Sequence, residues 1–239
     1  MSWISHKPIA HRGLHKGSAV PENSLAAFEA AIELGYPFEL DIQLLADGGL
    51  VVFHDQDLTR LTGVSGKISE QNSQTIKQLK LLGSDQHVPL LDEVFDLVKG
   101  KVPILIEIKN DGMVGELEQT LLNKLSDYSG EYAVQSFKPF SISWFKKNAP
   151  QILRGQLSGG FKSGNLAWHK KIARRNLLMN WVSSPNFIGY DIQCLPYLPV
   201  SIARQILNYP VIAWTIKTEK DKVEAEKYAD NIIFESIDP

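Results

Sequence analysis

The chain has 239 residues, 44% of them hydrophobic, and a formal net charge of -2. That length and apolar content suit one large α/β domain or two small ones with a sizeable core, and the charge gives no bulk electrostatic reason to bind nucleic acid. A single cysteine, Cys194, excludes an internal disulfide framework and fits a reducing compartment, and its apolar neighbours Ile192 and Leu195 point to a buried, inert thiol.

The N-terminal residues Met1 to Pro8 contain no apolar leader, and the initial Met argues against a processed form. No run approaches the ~18 apolar residues of a membrane span. A soluble, cytoplasmic protein without stable membrane insertion is therefore expected.

Strands are predicted over 8–11, 37–43, 50–54, 102–109, 131–136, 152–157, 187–192, 210–216 and 231–234. Helical patterns fill most of the intervals, at 24–34, 89–99, 115–127, 139–147, 165–180, 199–207 and 218–228. Repeated βα units imply a parallel sheet, and a closed eight-stranded barrel usually takes ~250 residues. The gap from 43 to 50 is too short for a crossover helix and carries the turn signal Asp47-Gly48-Gly49. Residues 37–54 are thus expected to form a hairpin whose second arm departs from the barrel pattern. The expected organisation is one barrel domain over 1–239, with a small excursion at about 55–88.

Two strands carry charge at alternate positions, Phe38-Glu39-Leu40-Asp41-Ile42 and Leu105-Ile106-Glu107-Ile108-Lys109. Alternate strand residues share a face, so Glu39 with Asp41, and Glu107 with Lys109, point one way while Leu40, Ile106 and Ile108 turn to a core. Clustered carboxylates raise one another's pKa unless a cation sits among them, and oxygen-only ligands suit Mg²⁺ or Ca²⁺. Half-exposed antiparallel strands would give the same alternation.

Barrel sites form at the C-terminal ends of strands, where polar residues recur in this chain. His11-Arg12-Gly13 follows Ile9-Ala10, and His54-Asp55 follows Val52-Phe53. Gln135-Ser136-Phe137 and Trp214-Thr215 close later strands. Two imidazoles suit acid–base work, Arg12 and Lys109 suit a phosphate, and a carboxylate-held cation polarises a phosphoryl oxygen. No serine-hydrolase turn, P-loop or dinucleotide fingerprint competes with phosphoryl chemistry.

The segments Ile9-Ala10-His11-Arg12-Gly13, Pro21-Glu22-Asn23-Ser24, Glu39-Leu40-Asp41, Asp47-Gly48, Val52-Phe53-His54-Asp55 and Leu58-Thr59-Arg60-Leu61-Thr62-Gly63 resemble the glycerophosphodiester phosphodiesterase family in order and spacing. The likeness continues through Val88-Pro89-Leu90-Leu91-Asp92-Glu93, Glu107-Ile108-Lys109, Gln135-Ser136-Phe137 and Ala213-Trp214-Thr215, and is sparse over 150–208. It implies an irregular (β/α)8 TIM barrel that cleaves glycerophosphodiesters to glycerol 3-phosphate and an alcohol. By position, Glu39, Asp41 and Glu107 would bind Mg²⁺ or Ca²⁺, and His11 and His54 would be the acid–base pair. Arg12 and Lys109 would hold the phosphate, and Phe137 and Trp214 would line the glycerol end. Leu45, Lys217, Phe234 and Ile237 depart from the family's usual residues, which bears on substrate preference more than on chemistry.

Two alternatives stand beside this reading. A lysophospholipase D activity would need an acyl groove, for which 55–88 and the block Phe161 to Trp181 are candidates; a non-catalytic phosphodiester-binding protein would need no intact acid–base pair. Small molecules are the expected partners. His6, His15, His87 and His169 read as ordinary surface or loop residues, and Glu22 and Asn23 as helix-start residues, supports of the site, or both. Trp3, Trp144, Trp168 and Trp181 read as packing residues. Lys170-Lys171 and Arg174-Arg175 read as a solvated basic face that lacks the apolar side of an interfacial helix.

Overall fold

Burial on both faces, the mark of a parallel sheet, runs through the charged strands. In the computed structural model, which describes residues 3–161 and 167–239, Glu39, Asp41 and Glu107 are as sequestered as Leu40, Ile106 and Ile108. The half-exposed antiparallel reading therefore fails. The described residues form two compact units, Ile9–Tyr132 and a second containing Ala133–Pro239 with the N-terminal residues up to Pro8.

In the Ile9–Tyr132 unit, β1 (Ile9–Ala10) leads to α1 (Leu25–Glu33) and β2 (Phe38–Leu44). Ser24 caps α1, its Oγ accepting from the Ala27 amide at 3.1 Å, which is worth about 1 kcal/mol. The buried face of α1 places Phe28 on Phe38, ring centroids 4.4 Å apart. Strand β2 pairs in parallel with β1 and with β4 (Ile104–Ile108), and antiparallel with β3 (Leu50–Val52). The hairpin is as expected. Gly48 takes a positive φ of 81° in its turn, and Asp47 accepts the Ser73 amide at 2.8 Å.

The irregular stretch after β3 holds α2 (Thr59–Thr62) and α3 (Ser73–Ile76). It has its own small core, in which Phe53, Leu58, Leu61, Ile68, Ile76, Leu81 and Val88 pack on Leu45 and Val51 of the hairpin. At roughly 1.5–3 kcal/mol per buried side chain, that cluster is enough to order a segment with so little regular structure. Helix α4 (Leu91–Val98) follows, its start closed by Glu93 accepting from the Leu90 amide at 2.9 Å. Helix α5 (Glu116–Ser126) starts in the same way, with Glu118 accepting from the Gly115 amide at 2.7 Å.

In the other unit, β5 (Tyr132–Ser136), β6 (Arg154–Ser158), β7 (Phe187–Asp191), β8 (Val211–Ile216) and β9 (Asn231–Phe234) pair in parallel in chain order. Between them run α6 (Pro139–Asn148), α7 (Trp168–Arg175), α8 (Asn180–Ser183), α9 (Leu198–Gln205) and α10 (Glu219–Tyr228).

Three expectations need correction here. The single helix over 165–180 is two helices, α7 and α8, parted by Leu177 at φ 60°; positions 165 and 166 lie outside the described residues. The carbonyls at the end of α7 are taken by side chains instead of a continuing helix, with Ser158 Oγ donating to Arg174 O at 2.8 Å and Tyr190 Oη to Arg175 O at 3.1 Å. Trp168 and Trp181 are not packing residues, being 74% and 80% exposed, whereas Trp144 is half-buried edge-on against Phe145. Cys194 is half-buried, not apolar and sealed, since its Sγ lies 3.6 Å from Asp191 Oδ2 in a single 3₁₀ turn.

Candidate active site

Pairing of β2 with β4 sets Asp41 opposite Glu107, with Glu39 two residues earlier on the same face of β2. Oxygens of Glu39, Asp41 and Glu107 all lie within 4.8 Å of one another. Each of the three side chains is buried. Burial first, then the charges of Asp41 and Glu107, push the Glu39 carboxyl well above the usual carboxylate range. Burial also raises Glu107, and the pull of Lys109 only partly offsets it.

Asp41 behaves in the opposite way, because cationic side chains lie against it. Burial would lift it, but Lys109, Arg12, His54 and a hydrogen bond from Asn23 together outweigh burial and hold it below the ordinary range. Lys109 Nζ lies 3.2 Å from Asp41 Oδ1 and 2.8 Å from Glu107 Oε1. Burial opposes the charge on Lys109 and on Arg12, yet the carboxylates win and raise both pKa values.

Arg12 sits at the end of β1 in the left-handed region, φ 53°, followed by Gly13 at 78°. A Cβ on Gly13 would come within 2.7 Å of the Ala27 backbone, so α1 leaves room only for glycine there. This turn aims the Arg12 amide at Glu39 Oε2, 3.1 Å away, and its guanidinium Nε at Asp41 Oδ2, 3.3 Å away. Arg12 Nη1 also donates to Glu22 Oε1 at 2.6 Å.

Glu22 continues a chain of ion pairs. Arg60 donates to both Glu22 oxygens, at 2.9 and 2.8 Å, and its Nη2 donates to Asp55 Oδ1 at 3.0 Å. Asp55 Oδ1 in turn lies 2.7 Å from His54 Nδ1. With Nδ1–H donated to Asp55, the Nε2 nitrogen is the one that Asp55 does not engage. The buried Gln43 of β2 steadies this exit from β3, its Nε2 donating to Phe53 O and Asp55 O, each at 2.8 Å. His11 follows β1 one residue beyond the Ala10–Phe38 pair, half-buried, with a ring nitrogen within 4.8 Å of one on His15. A cleft of about 650 Å³ opens beside Lys109, lined in part by Gln43, Gln56, Lys67 and Asn110.

These residues of one unit thus bring together Glu39, Asp41, Glu107, Lys109, Arg12 and, through the relay, His54. Sequence reasoning gave Arg60, Asp55 and Gln43 no role. Arg60 is four residues past Gln56 in an irregular stretch, and only its place in the Leu58-to-Gly63 motif signalled it. Of the remaining site candidates, Phe137 and Trp214 form an edge-to-face pair in the other unit, centroids 5.5 Å apart, with Phe161 also edge-on to Phe137. The Trp214 indole Nε1 is buried without a hydrogen-bond partner.

The donor set fits a hard divalent cation. It offers three buried carboxylates and oxygen ligands only, and Lys109 and Arg12 do not neutralise it fully, since Glu39 remains displaced toward its neutral form.

The description of the glycerophosphoryl diester phosphodiesterase family matches residues 11–238. The chain belongs to that family. A glycerophosphodiester phosphodiesterase of Caldanaerobacter subterraneus is 39% identical over 163 residues, which are 62% of this chain and 65% of that protein. The chain thus spans just under two thirds of that relative's length. A lysophospholipase D of Homo sapiens is 33% identical over 53% of this chain and 41% of its own. The structure of an Oleispira antarctica phosphodiesterase in complex with the product sn-glycerol-3-phosphate superposes with a TM-score of 0.79 at 25% identity, covering 95% of this chain and 92% of that one. The fold class is accordingly the expected (β/α)8 barrel. Family and acidic cluster together support a divalent cation.

Proposed function

We propose that this protein hydrolyses glycerophosphodiesters to sn-glycerol 3-phosphate and an alcohol. The observation that carries the proposal is the buried Glu39–Asp41–Glu107 cluster with Arg12 and Lys109 against it, in a member of a family named for this reaction. Glu39, Asp41 and Glu107 would hold Mg²⁺ or Ca²⁺, which when bound supplies Lewis-acid stabilisation of charge on the phosphoryl oxygens.

The chain's own residues account for the rest of the chemistry. Arg12 and Lys109 attract and orient the anionic phosphodiester. One histidine of the His11 and His54 pair takes a proton from the attacking oxygen, which is water or the glycerol 2-hydroxyl. As that oxygen bonds to phosphorus the bond to the alcohol oxygen breaks, and the other histidine delivers a proton to the departing alcohol. After attack by the 2-hydroxyl, water then adds to the cyclic phosphate and breaks its bond to the 2-oxygen, which takes up a proton. Asp55 keeps His54 in one tautomer and orientation. The Phe137–Trp214 pair supplies an apolar wall of the kind a glycerol backbone packs on. A cytoplasmic setting goes with this reading and accords with a chain that has a single cysteine. Among the described residues no helix is long and apolar enough to cross a membrane.

A lysophospholipid substrate is the second reading, supported by the likeness to the human lysophospholipase D. The segment after β3 does not favour it, because most of its large apolar side chains pack into a core of their own. Phosphorus NMR of glycerophosphocholine turnover tests the proposal: glycerol 3-phosphate as the product supports it. A cyclic phosphate on the way identifies the 2-hydroxyl as the attacking group, and inertness toward glycerophosphocholine with turnover of lysophosphatidylcholine would favour the second reading.

A further inference from the structure

The whole chain carries 25 Lys and Arg against 27 Asp and Glu, but between Tyr132 and Tyr190 there are nine basic residues and no acidic one. Arg154 is buried and Lys162 lies outside the described residues, but the remaining asymmetry inside a near-neutral chain is of the kind that meets polyanions. The same stretch exposes two tryptophans and two large aliphatic side chains close in sequence. Trp168 and Trp181 are 74% and 80% exposed, Ile172 is 50% and Leu178 is 58%. Helix α7 buries no residue. Trp168 and Ile172 lie four residues apart, on one helical face.

Basic residues share the helix and its neighbourhood with these apolar ones. Lys170 is exposed within α7, and Lys171 is half-exposed beside it. Helix α6 packs against α8, and Lys146 at its C-terminal end donates to Ser184 Oγ at 2.6 Å, so exposed Lys146 and Lys147 border the same patch. Arg175 is partly committed to the face of Tyr197, its guanidinium carbon 4.8 Å from the ring centre, so lysines supply most of the uncommitted charge.

We propose that the segment Trp168–Ser183, with the adjoining end of α6, docks on the surface of an anionic phospholipid bilayer. Indoles settle at the headgroup boundary, aliphatic side chains such as Ile172 and Leu178 enter the acyl edge, and lysines pair with lipid phosphates. A nucleic acid would satisfy the lysines but offers no apolar phase to the aliphatic side chains. A second copy of the chain would bring like charge against like. The proposal goes beyond the proposed hydrolysis and does not depend on it.

Cosedimentation of the full chain with phosphatidylcholine vesicles, with and without phosphatidylglycerol, tests it. Binding is expected only with phosphatidylglycerol, with a blue shift of tryptophan emission and weakening by salt. The pairs Trp168→Ser with Trp181→Ser and Lys170→Glu with Lys171→Glu are each expected to weaken binding by about tenfold or more. Both are expected to leave circular dichroism and solution turnover of glycerophosphocholine unchanged. Absence of binding to phosphatidylglycerol vesicles overturns the proposal, as does full binding by the tryptophan variant. Loss confined to the lysine variant, with equal competition by duplex DNA, would assign the face to a soluble polyanion instead. Self-association that the tryptophan variant abolishes would assign it to a contact between copies.

Discussion

Asn23 and Asp41 are joined twice, Asn23 Nδ2 donating to Asp41 Oδ2 at 2.9 Å and the Asp41 amide donating back to Asn23 Oδ1 at 3.4 Å. Asn23 is buried and holds a φ of 56°, so one side chain both tolerates the left-handed turn before α1 and fixes the central carboxylate of the cluster. Its neighbour Ser24 caps the helix, so helix start and site support share adjacent residues.

Asn23→Ala is therefore expected to weaken divalent-cation affinity by about tenfold to a hundredfold, the usual cost of removing an outer partner of a metal ligand. Calorimetric titration of the cation checks this. The backbone turn survives only with strain, so thermal unfolding is measured alongside. An unchanged cation affinity would show that Asp41 needs no such support.

Glu107→Gln keeps shape but removes one carboxylate and the partner of Lys109 at 2.8 Å. Cation affinity is expected to fall by at least about tenfold, the scale of one lost charge interaction. An unaltered titration would remove Glu107 from the cation site.

His54 is expected to be dispensable for folding, because its ring is one-third exposed. His54→Ala should cost about 10²–10⁴-fold in kcat while the protein remains folded, with a melting temperature lowered only by the loss of one hydrogen bond to Asp55. Asp55→Asn, which disturbs the tautomer and orientation of His54 and weakens the pairing with Arg60, should lower kcat less than His54→Ala does. Retention of most activity by His54→Ala would end its acid–base assignment.

Asp55 also predicts a pH dependence of stability. Burial raises its carboxyl, but hydrogen bonds from Arg60 and His54 outweigh burial and bring it to about 2, against 3.8 ordinarily. A folded-state pKa below the unfolded one stabilises fully above about pH 4, and that contribution is lost as pH falls through about 2. Arg60 is nearly half exposed, so solvent screening limits the effect to about 1 kcal/mol or less. Urea denaturation should show wild type more stable than Asp55→Asn at neutral pH, with the gap narrowing below about pH 4. A gap independent of pH would contradict the ion-pair account.

Much of this was legible in the sequence because periodicity reports one strand at a time. The alternation in Glu39-Leu40-Asp41 and Ile106-Glu107-Ile108 marked the cluster face, and Asp47-Gly48 marked the hairpin. What periodicity could not report was pairing: alternation suits an exposed face as well as a buried, charged interior, and only the parallel register of Asp41 with Glu107 decides between them. Arg60 and Gln43 were illegible because their roles arise from partners 38 and 10 residues away. The break after Arg175 was missed because side chains of β6 and β7, not a proline or glycine, end that helix. The basic face of Lys170-Lys171 and Arg174-Arg175 was legible, but its apolar side was not, because a tryptophan in a sequence reads as packing and only the structure leaves Trp168 and Ile172 exposed.

Release of sn-glycerol 3-phosphate from glycerophosphocholine, measured with a chelator and again after restoring Mg²⁺ or Ca²⁺, tests the central claim most directly. The account predicts release that the chelator abolishes and the cation restores, with release from His54→Ala lower by about 10²–10⁴-fold and Glu107→Gln needing more cation for the same restoration. Release that persists undiminished in chelator would contradict the role given to the Glu39–Asp41–Glu107 cluster. Absence of release with either cation would contradict the proposed reaction itself.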